Sequence, residues 1–277
     1  MGIDIGARAS KAAITEDGKL KAHHLLLSGT NYKETARMLK EELLAKAGLS
    51  AESTVYTVAT GVGGQNIDFS QQYVAELRCC ARGVSHIFPE VRTIIDIGET
   101  SSRLILTDGK GRLINFIVSE KCATGSGYFL ETIANVLRIK LEDVSSLSLS
   151  SRKPVVFTTG CAVFGESEAI SRVCEGFSKG DILAGVHKAL ASKIAALAAR
   201  LGLEEPCAIS GGGGLDIGLV RALEKKVGVN LLLPREPQLV TALGAALIAR
   251  ELSEESGEKE GRQSNQSNME ERDSNAG

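Results

Sequence analysis

The chain has 277 residues, 43% of them hydrophobic and 24% charged, with a formal net charge of −2. That size fits one large domain or two of about 120–150 residues, and the near-neutral charge calls for neither a nucleic-acid partner nor an anionic membrane surface. No run approaches the roughly 18 apolar residues of a membrane span, and 4% aromatics with no Trp argue against a base-stacking surface.

Residues 2–14 read as strand, tight turn and strand, Asp17-Gly18 closes a hairpin, and 20–27 supply a third strand. Residues 32–47 predict a helix, with Ala36, Leu39, Leu43 and Leu44 on one face. A β-branched strand at 54–59 runs into the glycine loop Thr60-Gly-Val-Gly-Gly64, and a second helix is expected at 69–83. The plan then repeats. Residues 93–98 are strand and turn, 102–106 and 113–118 are strands around Asp108-Gly109, and 127–137 are helical. A strand at 155–159 precedes helices at 166–174 and 181–201. Residues 206–210 form a strand ending in four glycines, followed by a helix at 215–227, a strand at 229–233 and a small-residue helix at 238–252. The tail after residue 252 lacks apolar periodicity: residues 251–277 carry eight acidic and three basic side chains, and disorder is expected there.

Ile-Asp-Ile-Gly occurs at 3–6 and again at 95–98, 92 residues later, each time after the first strand of its half. An internal duplication is the economical explanation. Aspartates at two such strand ends can face one Mg²⁺–phosphate group, and glycines beside them let backbone N–H groups approach phosphates.

Two cysteines, Cys122 in Lys121-Cys-Ala-Thr-Gly-Ser-Gly127 and Cys161 in Cys161-Ala-Val-Phe-Gly-Glu-Ser-Glu168, each stand in a turn just before an apolar-periodic run. A helix start favours negative charge, and therefore a thiolate or an anionic metal–thiolate cluster. With no basic segment and apolar core of a signal peptide at the N-terminus, a cytoplasmic protein is expected, where six cysteines are thiols or metal ligands rather than disulfides. Two thiolates do not complete a structural zinc or four-iron site, but a two-fold dimer supplies two more. The remaining cysteines read as structural: Cys79 and Cys80 on a helix, Cys174 and Cys207 as core fillers. His187 reads as a surface or interface group.

At these motifs, together with Ala59-Thr-Gly61, Ser210-Gly-Gly212 and Ala242-Leu-Gly-Ala-Ala246, the chain resembles the ATPase activators of 2-hydroxyacyl-CoA dehydratases and the ATP-binding subunits of benzoyl-CoA reductase, over about residues 2–250. The 39-residue separation of the two cysteines matches that family. The resemblance implies an α/β fold of duplicated ribonuclease-H-like lobes, of actin/Hsp70 type. The first lobe would be residues 1–92, completed by the helix at 238–252, and the second 93–237, with 253–277 as an acidic tail. It implies one [4Fe-4S] cluster shared by two subunits, held by Cys122 and Cys161 of each, and ATP/ADP with Mg²⁺. The second subunit would be identical or a paralogue, the donor ferredoxin or flavodoxin, and the acceptor a dehydratase or reductase component.

By match to the family motifs, Asp4, Gly6 and Lys11 line the first phosphate loop and Asp96 and Gly98 the second. Gly211, Gly212 and Gly213 approach the nucleoside, and Gln238 the adenine. Asp4 and Asp96 are the expected catalytic carboxylates. Glu168 is either first-turn helix charge or a third functional carboxylate. The activators usually carry Ser-Thr where this chain has Ala7-Arg8, and Gly-Gln-Asp where it has Glu99-Thr100-Ser101. Glu99 would repel a triphosphate unless Mg²⁺ or Arg8 lies between, and Arg8 either clamps a phosphate or stands in solvent. These departures imply that the chain binds ATP but hydrolyses it slowly alone. The competing expectations are a small-molecule phosphotransferase of the same superfamily and a non-hydrolysing regulatory paralogue.

Overall fold

The computed structural model describes residues 1–50, 53, 55–119, 127–158 and 162–256. It divides the chain into two compact units, 1–74 with 245–277 and 75–244.

In the first unit, β1 (Gly2–Ile5), β2 (Ala9–Glu16), β3 (Lys19–Leu27), β4 (Val58–Thr60) and β5 (Gln72–Tyr73) form one sheet in the order β3-β2-β1-β4-β5. β2 runs antiparallel to β1, and β4 parallel to it. Central β1 is buried along its whole length. Helix α1 (Tyr32–Lys46) starts where the Asn31 side chain accepts from Glu34 N–H, and lays Ala36, Leu39, Leu43 and Leu44 on Ile3 and Ile5.

The second unit repeats the sheet. β6 (Thr93–Ile97), β7 (Ser102–Thr107), β8 (Leu113–Val118), β9 (Cys207–Ser210) and β10 (Leu231–Leu232) lie in the order β10-β9-β6-β7-β8. Antiparallel and parallel neighbours match strand for strand, as the duplicated ribonuclease-H-like fold requires. Both faces of this sheet are covered. Ile94, Ile105 and Ala208 point to one side, where α2 (Glu76–Ile87) lies; Ile95, Ile97, Leu104 and Ile209 point to the other. That other side is covered by α3 (Gly127–Val136), α6 (Lys179–Leu201) and α7 (Ile217–Val227). Coverage on both faces explains why β6 reads as a continuous apolar run rather than an alternating one. A last helix, α8, spans residues 240–256.

Several elements differ from expectation, each for a tertiary reason. The helix expected at 69–83 begins at Glu76, because Val74 N–H bonds Ala59 O and β5 pairs with β4. That helix packs on the second sheet, so the division falls at 74/75 rather than 92/93, and on the C-terminal side at 244/245 rather than 237/238. Residues 155–158 are not a strand: Val155 N–H bonds Asp181 O, and Thr158 N–H bonds Glu168; residue 159 lies outside the described residues. An unanticipated helix, α4 (Val144–Leu149), survives its serine-rich sequence by packing between α6 and α7. Helix continues to residue 256 where a tail was expected from 253; residues 257–277 lie outside the described residues. Cys174 is exposed, not a core filler, whereas Cys79, Cys80 and Cys207 are buried.

His187, expected at a surface, is 2% exposed, and its Nε2 lies 2.8 Å from Asp216 Oδ2. Asp216 also caps α7, accepting from Leu219 N–H at 3.1 Å. Burial acts to raise the Asp216 carboxyl, but the His187 bond and charge bring it below its ordinary value. α6 is long and apolar enough to cross a membrane, yet ten of its residues are buried, nine of them facing the unit's own core or the Asp216 pair and the tenth, Gly180, beside α4.

α6 begins with a reciprocal cap: Asp181 N–H donates to Ser178 Oγ at 3.1 Å, and Ser178 Oγ donates back to Asp181 Oδ2 at 2.7 Å. Ser151 Oγ and Lys153 N–H complete the Asp181 shell. The bonds from Ser151, Ser178 and Lys153 hold its carboxyl at about 2, below 3.8. A depressed carboxyl stabilises above its unfolded pKa and ceases to as pH falls through its folded one. Asp181→Asn is therefore expected to lower the urea midpoint at neutral pH, with the gap from wild type closing as pH drops from 3.8 to about 2. A gap that stays constant over that range overturns this account.

Candidate functional site

Each unit carries an aspartate one residue before the end of its first strand, and the hairpin register sets a cation opposite it, seven residues on. Asp4 pairs with Lys11 and Asp96 with Arg103 across the ladders. Lys11 Nζ lies 3.0 Å from Asp4 Oδ2, and Arg103 Nη1 lies 3.2 Å from Asp96 Oδ2. Arg103 also bonds Glu76 of α2 at 2.8 Å. On the parallel side, register places Thr60 beside Asp4 and Ser210 beside Asp96. A glycine follows each hydroxyl in a left-handed conformation: Gly61 at φ +87° and Gly211 at φ +80°. A β-carbon at Gly61 would sit 2.5 Å from Asp4 Oδ1, and one at Gly211 2.9 Å from Asp96 Oδ1. Only glycine allows both the turn and that approach to the carboxylate.

The first loop is braced behind the strand end. Ser28 Oγ donates to Gly6 O at 2.7 Å and lies 2.8 Å from Ser10 Oγ. Ser28 N–H bonds Arg8 O at 2.8 Å, and the Arg8 side chain is exposed. In the second unit, Gly98 N–H bonds Ser101 O at 3.0 Å, closing that loop. The same loop then bonds the start of α3: Gly127 N–H donates to Gly98 O at 2.9 Å, and Tyr128 N–H to Glu99 O at 3.1 Å. A β-carbon at Gly127 would lie 3.1 Å from Glu99 Oε2. The Glu99 carboxylate thus stands at the positive end of α3, a favourable place for the charge whose repulsion of a triphosphate was at issue.

Of the four-glycine turn, Gly211 N–H bonds Pro237 O at 3.0 Å and Gly212 faces open space. Gly213 packs instead on Ile97, where a β-carbon would meet its side chain at 2.5 Å. Next to Pro237, Gln238 has a buried Oε1 with no partner in the structure. The turn and Gln238 together offer backbone, open space and one unused acceptor, as a nucleoside subsite needs.

Glu168 is engaged elsewhere. Its carboxylate accepts from Thr158 N–H at 2.9 Å and Thr158 Oγ1 at 3.2 Å, and pairs with Arg172 at 3.4 Å. It ties the segment before Cys161 to α5 (Ala162–Cys174). α5 packs on α3, with Gly165 admitting the Phe129 ring, which also stacks edge-on with Phe157 at 6.4 Å. Cys122 and Cys161 themselves lie outside the described residues, and no group of three or more His, Cys, Asp or Glu side chains able to hold a metal occurs among the described ones.

The residues present fit a Mg²⁺-nucleotide. Asp4 Oδ1 and Thr60 Oγ1 are buried without partners, and a buried polar atom left so costs about 1–3 kcal/mol, which a polar guest recovers. Thr60, Gly61, Arg103, Ser210 and Glu76 were not among the expected site residues. The signals were there: a cation seven residues after each Asp-Ile-Gly aspartate, and hydroxyl-Gly-X-Gly-Gly at both 60–64 and 210–214.

The model of the BadF/BadG/BcrA/BcrD ATPase family matches residues 1–249. The 2-hydroxyisocaproyl-CoA dehydratase activator of Clostridioides difficile is 38% identical over 257 residues, 92% of this chain and 96% of that one. A component chain of the benzoyl-CoA reductase of Thauera aromatica is 33% identical over 257 residues, covering 89% of this chain and 91% of that one. The solved structure of the Clostridium difficile activator with bound ADPNP superposes with a TM-score of 0.89 at 37% identity, over 93% of this chain and 96% of that one.

Proposed function

Because this chain belongs to the BadF/BadG/BcrA/BcrD ATPase family, we propose that it is an ATP-driven electron-transfer component. It would pass a low-potential electron from a subunit-bridging [4Fe-4S] cluster to an acyl-CoA dehydratase or aromatic acyl-CoA reductase. The identity along nearly the whole of both chains to a dehydratase activator favours this over a phosphotransferase.

One observation carries the reading. The carbonyl oxygens of Gly98 and Glu99, in the second phosphate loop, accept from the first two N–H groups of α3, the helix that follows the Cys122 segment. A contact on that loop is one hydrogen bond from the cysteine helix, and α3 is packed on α5, the helix following Cys161. A shift of the loop on nucleotide turnover is thereby passed to both cysteine segments.

Within this reading Lys11 steadies the Asp4 carboxylate, the glycine turns admit phosphate and ribose, and Cys122 and Cys161 supply two thiolates, half of what a four-iron cluster takes. The cluster, when bound, supplies one-electron chemistry at a potential set by its hydrogen bonds and exposure. Tyr128, Phe164, Ile170 and Val173 of α3 and α5 are exposed apolar side chains, from 47% to 68%, as expected beside a second subunit, identical or paralogous. The reading places the protein in the cytoplasm, with ferredoxin or flavodoxin as donor. Anaerobic purification followed by iron and sulfide assay is the test. About four irons per two chains are expected; a colourless, iron-free protein that still binds ATP overturns it in favour of a kinase or regulatory role.

A further inference from the structure

The two units share a layout and differ in how the second oxygen of the aspartate is satisfied. In the second, Ser210 Oγ donates to Asp96 Oδ1 at 2.8 Å, and Cys80 Sγ lies 3.2 Å from that hydroxyl. Burial and the neighbouring Asp96 charge push the Cys80 thiol well up, so it remains a donor. With Arg103 on Oδ2, both Asp96 oxygens are engaged. In the first unit the matching hydroxyl, Thr60, is fully buried and its Oγ1 has no partner. Asp4 is 4% exposed and its Oδ1 has none either. Strand register makes these two residues neighbours. One unsatisfied buried atom is an irregularity. Two on adjacent register positions, one an obligate acceptor and the other a donor or acceptor, match the bonding of a single guest, water.

We infer that Thr60 is a positioning residue of the nucleotide site: Thr60 Oγ1 and Asp4 Oδ1 jointly hold a water molecule that arrives with the hydrated Mg²⁺-nucleotide. The duplicated halves are thus not equivalent. Asp96 is locked by protein groups, and Asp4 keeps its second oxygen for the ligand's water. The inference rests on the ATPase reading and assigns a role within it to a residue that reading leaves idle.

The experiment uses Thr60→Val and Thr60→Ser in the full chain. Nucleotide-free, Thr60→Val is expected to melt at or above wild type, because it deletes an unpaired hydroxyl. With ATP, its Mg²⁺ titration, read as the shift in melting temperature, should need on the order of tenfold more metal, and its hydrolysis rate should fall on the order of 100-fold. Thr60→Ser should keep both close to wild type. A Thr60→Val chain that melts lower without nucleotide overturns the inference, since the hydroxyl then serves the fold. So does one with unaltered Mg²⁺ dependence and rate. If wild type itself shows no nucleotide-dependent melting shift, the ATPase reading fails first, and that result is distinct from either.

Discussion

Cys122→Ala is expected to come through anaerobic purification without iron, against about four irons per two chains in wild type. The effect is large because the four-iron cluster of this reading takes four thiolates. With an identical second subunit one substitution removes two of them, and with a paralogous one it still leaves the cluster a ligand short. Electron transfer to any acceptor should vanish with it. Nucleotide binding should not: the Asp4–Lys11 pair and the Thr60-Gly61 turn belong to the first unit, and the Gly211–Gly213 turn with Gln238 is built from segments of the second that are distant in sequence from Cys122. Nucleotide-dependent melting shifts should therefore survive in the variant. Retention of iron in Cys122→Ala, or its loss together with all nucleotide binding, would contradict the assignment.

Gly244→Ala should be the most destabilising single methyl in the second unit. A β-carbon there would lie deep inside contact distance of the Cys79 carbonyl oxygen, and one at Gly83 inside that of Val240 O. The two glycines let α2 and the start of α8 touch backbone to backbone. The obstructing atoms are main chain, so no rotamer change relieves the clash and the helices must separate. Separation loosens the cluster of Cys80, Val84, Ile94, Ile105 and Val240. Overpacking costs about 1–3 kcal/mol, with the upper end expected here even after the gain of about 1 kcal/mol in helix propensity from Gly to Ala. For a unit of this size that is a fall of roughly 6–12 °C in melting temperature, readable by circular dichroism or calorimetry. A shift under about 2 °C would mean that the crossing is looser than it stands.

Much of this was legible beforehand because it is local. A strand, an Asp-Ile-Gly end and a hairpin recur at 3–6 and 95–98, and the structure returns the same sheet order twice. β8 spans 113–118 as the sequence predicts, because Asp108-Gly109 marks the turn that precedes it. α2 starts later than the sequence predicts because residues 72–73 pair with β4 as β5, and two residues are too few to show a strand pattern in the sequence. α4 was missed because serine disfavours a helix until neighbouring helices bury it. His187 was read as exposed because its partner, Asp216, lies 29 residues away.

The sequence by itself determined the duplicated α/β architecture and the aspartate and glycine turn that each half carries at its first strand, since each is written in a few adjacent residues. Only the tertiary structure decided which aspartate has both oxygens bonded, by Ser210 and Arg103, and which keeps one buried oxygen without a partner beside Thr60, and that the Gly98–Glu99 loop is bonded to α3. Thr60 and Ser210 are both hydroxyls preceding a glycine of a hydroxyl-Gly-X-Gly-Gly turn. Whether each bonds its aspartate depends on side-chain placement across strands that are distant in the chain.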